Sequence, residues 1–182
     1  MVFNTVTIKL KDGTECVLCS PCAEDSAQML DYLRMTSAET EFMVRYPDEI
    51  TMSDQQEKEF LKNITASPHS LMICAKINGV IAGNAGLNPV SLLDRMRHRA
   101  TFGISIKKEF WKKGIATAIM TELFKAAAAL GYEQIELEVI AENDRAIKLY
   151  KKFGFKQYGV RKNAFLYRDG RYADEILMMK ML

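Results

Sequence analysis

The sequence predicts an α/β fold: one mixed, mostly antiparallel central sheet flanked by about four helices, in a single domain over residues 1–182. Three observations predict it. Short runs such as "TVTIKLKDGTECVLCSP" and "YADEILMMKML" alternate with the two-residue period of half-buried strands. Between strand runs lie Lys11-Asp12-Gly13 and Asn78-Gly79, which read as hairpin turns. One strand–helix–strand stretch, residues 100 to 140, carries a full helix between its strands, which calls for a parallel pair with a right-handed crossover.

The elements follow in order. After the first hairpin, "AEDSAQMLDYLRMTSAE" has helical spacing through Ala27, Leu30, Leu33 and Arg34. In "TMSDQQEKEFLKNI", Ser53 with Gln56 three residues later is a capping box that opens a second helix. "SLMICAKINGVIAGNAGLNP" reads as two strands hinged at Asn78-Gly79, and "RATFGISIKKEF" as another. In the next segment Ile115, Ile119, Leu123, Ala126, Ala127 and Leu130 recur at helical steps until Gly131 stops them. "YEQIELEVI" alternates as a strand, and "NDRAIKLYKKFG" is a shorter helix with Asn143 as N-cap. "FKQYGV" and the run ending at Leu182 close the chain as strands joined through Asp169-Gly170.

Composition narrows the class. A chain of 182 residues that is 48% hydrophobic can bury a full core. A formal charge of +2 argues against bulk nucleic-acid binding, and no apolar run approaches membrane-span length. The N-terminus reads as a strand and turn with no signal core, so a cytoplasmic protein is expected. Cys16, Cys19 and Cys22 form C-x-x-C-x-x-C, which superficially suggests a metal framework. Residues three apart on a strand point to opposite faces, however, and only two histidines, His69 and His98, are on hand as further ligands. The four cysteines are therefore read as ordinary thiols that stay reduced, and no metal is expected.

"FWKKGIATAIMTEL" raises a chemical question, because two lysines and a glycine run straight into a helix. Helix starts carry unpaired N–H groups and the positive end of the macrodipole, so consecutive N–H groups there form a nest for phosphate oxygens. Gly114 and Ala116 allow close approach, and Lys112 and Lys113 add charge. A solvated basic turn starting an ordinary helix is the alternative. Neither G-x-x-x-x-G-K-[ST] nor G-x-G-x-x-G is present.

Taken together, "WKKGIA" and "NDRAIKLYKKFGF" resemble the GNAT superfamily of acetyl-CoA-dependent N-acetyltransferases, in particular its ribosomal-protein N-acetyltransferase-like subgroup. The family's Gln/Arg-x-x-Gly-x-Gly/Ala reads here Trp111-Lys112-Lys113-Gly114-Ile115-Ala116, with Trp111 as the departure. Its Asn-x-x-Ala-x-x-Leu-Tyr-x-x-x-Gly-Phe appears as Asn143, Ala146, Leu149, Tyr150, Gly154 and Phe155. The resemblance implies acetyl-CoA as co-substrate, its pyrophosphate on the N–H groups of Lys112, Lys113, Gly114, Ile115, Ala116 and Thr117. It also implies a pantetheine arm along Ile104, Ser105 and Ile106, with Asn143 near the pantetheine amides and Lys148 steering the polyanion. Gly103 fits a close approach or simple packing relief.

The chemistry implied is direct transfer of the acetyl group to a primary amine. The amine must lose a proton to attack, and the departing thiolate must gain one. Tyr150 is the candidate acid, seven residues from Asn143 and on the same helix face; packing against Phe153 and Phe155 is its bland alternative. Family members often carry a Glu near the position of Thr101, so the base falls to Glu138 or His98, both of which also read as plain surface residues. The acceptor is a small-molecule or peptide amine. The segment from Asp31 to Lys62 is acidic on balance, which suits a cation or simply makes two amphipathic helices. No nucleic-acid or membrane partner is expected, and a homodimer is left open. A non-catalytic acyl-CoA sensor or an interaction module of the same fold are the alternative functions.

Overall fold

The computed structural model describes all residues from Met1 to Leu182. The elements fall in the expected order: β1 (Val6–Lys9), β2 (Glu15–Cys19), α1 (Ser26–Ala38), α2 (Asp54–Ala66), β3 (Leu71–Ile77), β4 (Val80–Pro89), β5 (Arg99–Ile106), α3 (Ile115–Ala129), β6 (Gln134–Ile140), α4 (Asp144–Lys152), β7 (Lys156–Leu166) and β8 (Tyr172–Met181). Eight strands make one sheet in the order β1-β2-β3-β4-β5-β6-β8-β7. β5 and β6 are parallel, while β1–β2, β2–β3, β3–β4, β6–β8 and β7–β8 are antiparallel. This is the predicted class, a mixed and mostly antiparallel sheet with four helices. No helix is long and apolar enough to cross a membrane.

The chain divides into two compact units. The first comprises Met1–Asn88 and Gly103–Leu130. Its hairpins close as the sequence suggests: Gly13 takes φ +84°, and Asn78 and Gly79 take +50° and +79°. Two positive φ angles in succession are what a two-residue turn between twisted strands requires. The Ser53 side chain accepts from the Gln56 N–H at 3.2 Å while Gln56 returns the bond to Ser53, so the capping box starts α2.

Helices α1 and α2 bury a core of Met29, Tyr32, Leu61, Met72, Cys74 and Ile81. The stripe on α1 is turned from the one read in the sequence. Ala27 and Arg34 are exposed, while Met29, Tyr32 and Thr36 are buried. The polar members escaped notice because each finds a partner: Thr36 donates to the Tyr32 carbonyl at 3.0 Å, and the Tyr32 hydroxyl donates to the Ser105 carbonyl at 2.7 Å. The Ser105 hydroxyl lies 2.8 Å from the same phenol. Tyr32→Phe should therefore lower unfolding free energy by about 1–3 kcal/mol, the usual cost of stranding buried partners. Urea denaturation checks it, and unchanged stability would mean the bond is dispensable.

Among the cysteines, Cys16 and Cys74 are buried, Cys19 half-buried and Cys22 exposed, and all four are unpaired. No group of three His, Cys, Asp or Glu side chains is placed to hold a metal ion. Burial pushes the Cys16 thiol up to about 11, and the Cys74 thiol is raised for the same reason. Titration of the native protein with a thiol reagent should thus find Cys22 first, and Cys16 and Cys74 only on unfolding. Fast reaction of all four thiols in the native state would contradict this packing.

The second unit comprises Pro89–Phe102 and Gly131–Leu182. Its parallel ladder is short, with three pairs running from Arg99↔Gln134 to Thr101↔Glu136. Beyond it β6 continues along β8 as far as Ile140↔Glu175. Ile135, Leu137 and Val139 are buried, so Glu136 and Glu138 share the other face, the one that carries Thr101. β7 continues past Val160, where the sequence reading stops, to Leu166. Its charged residues hide the two-residue period, and register shifts at Gln157/Gly159 and Arg161/Phe165 break it.

Candidate active site

In the first unit, β5 leads through a single 3-10 turn at Lys108–Phe110 to the start of α3. Several bonds fix this connection. The Trp111 indole N–H donates to the Ile106 carbonyl at 2.7 Å, and the Lys108 N–H donates to Glu39 at 2.7 Å. The Lys11 N–H donates to the Lys113 carbonyl at 3.3 Å. Trp111, the departure from the family motif, thus ties the end of β5 to the loop with its one polar side-chain atom.

Gly114 is the N-cap of α3 at φ +97°, and Lys112 takes φ +65°. A left-handed glycine has no side chain with which to cap, and none caps this helix. The first N–H groups of α3, on Ile115, Ala116 and Thr117, head a helix of 15 residues and add its dipole to the turn. That backbone can cradle an anion. A Cβ on Gly114 would meet only the Lys11 side chain, at 3.8 Å, so its conformation and not crowding demands glycine.

The two lysines differ. Lys112 is exposed, whereas Lys113 pairs with Asp12 at 3.0 Å and lies over the Phe110 ring. Asp12 is drawn down to about 2 by its hydrogen bonds with Thr14 and Lys113. Lys113 is therefore chiefly a brace between the first hairpin and the loop.

Ile104, Ser105 and Ile106 are half-buried, with Ser105 held by Tyr32. Gly103 is exposed and a Cβ there would meet nothing within 4 Å, so packing relief is not its purpose. Gly83 is the most crowded glycine: a Cβ would lie 2.4 Å from Ile106 Cδ1, 3.3 Å from Ile115 Cγ2 and 3.4 Å from the Ser105 carbonyl oxygen, so Ile106 would have to move. Sequence reading missed it, along with Tyr32 and the buried Lys107, whose ammonium sits 5.8 Å from the Tyr32 ring centre.

In the second unit, Asn143 caps α4, its Oδ1 accepting from the Ala146 N–H at 3.2 Å. Tyr150 follows on the buried face of α4, packed edge-on against Phe102 and tilted against Phe155. Burial pushes its phenol up to about 12. The hydroxyl makes no hydrogen bond within the protein. Desolvation is the whole cause of that shift, so no charged or hydrogen-bonding side chain acts on the phenol. The ring is thus core, as its bland alternative holds, while the hydroxyl remains available. Lys148 is exposed on α4.

Glu138 lies on the sheet face opposite the one Tyr150 touches, because Phe102 alternates with Thr101 and Leu137 with Glu138. Its carboxylate accepts from Arg161 at 3.0 Å. Glu136 is held by Arg99 at 2.5 Å. His98 contributes its carbonyl, which accepts from the Glu133 and Gln134 N–H groups. Arg161 and Glu175, which complete the surroundings of Glu138, were not legible beforehand, because neither belongs to a motif.

The first unit thus carries a backbone nest at the head of a 15-residue helix, reached directly from a half-buried strand, and such a nest suits a phosphate-bearing carrier. The sequence model of the acetyltransferase (GNAT) family matches residues 33–155, and the chain belongs to that family. It is accordingly an acetyl-CoA-dependent N-acetyltransferase. It is 29% identical to the L-amino acid N-acetyltransferase AaaT of Escherichia coli K12 over 158 residues, 85% of this chain and 94% of that one. It is 32% identical over 77 residues to the E. coli K12 [ribosomal protein bS18]-alanine N-acetyltransferase, a match covering 42% of this chain and 51% of the relative. A GNAT-family acetyltransferase structure from Streptococcus pneumoniae superposes with a TM-score of 0.87 at 27% identity, covering 92% of this chain and 99% of that one.

Proposed function

We propose that the acceptor is the α-amine of an L-amino acid or of a peptide N-terminus, and that Glu138 and Tyr150 handle its two protons. The observation that carries this reading is that the second unit offers a half-exposed carboxylate, Glu138 on β6, and a phenol that stays protonated, Tyr150 on α4. Two relatives whose names specify an amino-acid acceptor support the choice of amine. In this reading residues 1–182 work as one domain in the cytoplasm. Acetyl-CoA lays its pyrophosphate on the N–H groups of residues 112–117 and its pantetheine arm along Ile104–Ile106.

The acceptor's ammonium gives one proton to Glu138. The freed lone pair forms the C–N bond while the carbonyl π pair moves onto oxygen, met by a backbone N–H of residues 104–106. When the C–S bond breaks, the thiolate takes the Tyr150 proton. The second proton of the amine returns to the phenolate through water. No acyl-enzyme is needed, since holding amine and thioester together supplies much of the acceleration.

A thiol-release screen with acetyl-CoA tests the acceptor. Free L-amino acids and peptides with an open N-terminus should turn over, and N-blocked peptides should not. Turnover confined to polyamines or aminoglycosides would overturn this reading.

A further inference from the structure

Glu175 is a buried acid in the middle of a sheet, and nothing in the family motifs accounts for it. On β8 it stands directly opposite Ile140 of β6 and Arg161 of β7, and so shares a face with Glu138. Arg161 donates from Nη2 to Glu138 Oε1 at 3.0 Å and from Nη1 to Glu175 Oε2. One guanidinium therefore serves two carboxylates, one buried and one half-exposed.

On the same face β7 also places Lys156, whose register partner Met179 stands opposite Glu136. Arg99 pairs with Glu136, and Lys162 with Asp174. Tyr158 is the other titratable group close to Glu136, Glu138 and Arg161. Helix α4 packs on the other face, through Tyr150 and Phe102. The cluster of Glu138, Arg161 and Glu175 is left one negative charge in excess, with Glu175 buried and Glu138 and Arg161 half-exposed.

We propose that Arg161 and Glu175 are positioning residues for Glu138, forming with it a cluster that stores the proton removed from the acceptor amine. The proposal rests on Glu138 as the base. With both carboxylates ionised the cluster attracts a cation, and the acceptor's ammonium is the cation it meets. Once Glu138 takes the proton, the cluster is neutral and Arg161 turns wholly to Glu175, which removes the charge excess. Glu175 thus gives Arg161 a second carboxylate to hold, so that Arg161 can release Glu138 when it takes the proton. In keeping with this, burial and the Glu138 charge both raise the Glu175 carboxyl against the pull of Arg161.

The test is carboxyl ¹³C NMR titration of the free protein with labelled glutamate, which requires no acceptor. Glu175→Gln removes an anion and should lower the Glu138 midpoint, and Arg161→Gln removes the cation and should raise it. A purely structural role would not move the midpoint in opposite directions. Glu138→Gln should likewise lower the Glu175 midpoint, which keeps the test open if Glu175→Gln folds poorly. A Glu138 midpoint unmoved in Glu175→Gln, or moved the same way by both variants, overturns the cluster even if Glu138→Gln abolishes turnover. Intact turnover of an L-amino acid by Glu138→Gln overturns the base assignment itself.

Discussion

Tyr150→Phe should lower kcat by roughly 10² or more, the range of a lost general acid, while acetyl-CoA affinity and melting temperature barely change. The two halves of this expectation come from separate features of the residue. The ring carries the packing, against Phe102 and Phe155, and phenylalanine keeps it. The hydroxyl has no partner inside the protein, so its loss strands nothing. With its phenol at about 12, Tyr150 stays protonated at neutral pH, so its ionisation should not shape the rate below about pH 10. The raised value also links to stability. A group that holds its proton more tightly when folded contributes fully below the unfolded value of about 10, and that contribution fades as pH rises toward 12. Wild type should lose stability across that window more steeply than Tyr150→Phe, as thermal melts would register. Unchanged kcat, with chemistry shown to be rate-limiting, would return Tyr150 to the core alone.

Gly114→Glu should nearly abolish acetyl-CoA binding. Glutamate sets a negative charge at the nest, and at φ +97° it also strains the backbone by about 1–2 kcal/mol. Gly114→Asn separates the two effects, because asparagine tolerates the left-handed region and brings no charge. It should fold well and bind with a far smaller loss. Lys112→Ala with Lys113→Ala should cost less than the glutamate, since the backbone N–H groups are the ligands and Lys113 already serves Asp12. Calorimetry on the three variants ranks them. Equal affinity in wild type and a folded Gly114→Glu would remove the nest from the cofactor site.

What the sequence revealed of this protein follows the range of the interactions involved. Asn78-Gly79, Ser53 with Gln56, and Asn143 act within a turn or a cap, so their local chemistry is written in adjacent residues. Gly114 was legible for the same reason, and its positive φ explains why that position needs glycine. Tyr32, Gly83 and Glu175 act on partners distant in the chain. Tyr32 meets Ser105 across 73 positions, and Gly83 makes room for Ile106. Their roles exist only once strands pair, so no spacing could announce them. Glu138 stands between the two cases. Its strand was plain, but its bond to Arg161 depends on β8 lying between β6 and β7.

The most direct measurement is a calorimetric titration of the wild-type protein with acetyl-CoA, run beside acetylpantetheine, which has the same thioester arm and no pyrophosphate. If the start of α3 is the anion nest, acetyl-CoA binds one to one and acetylpantetheine binds at least about a hundredfold more weakly, the loss of a few charge-assisted hydrogen bonds. Equal affinities, or no acetyl-CoA binding at millimolar ligand, would contradict it.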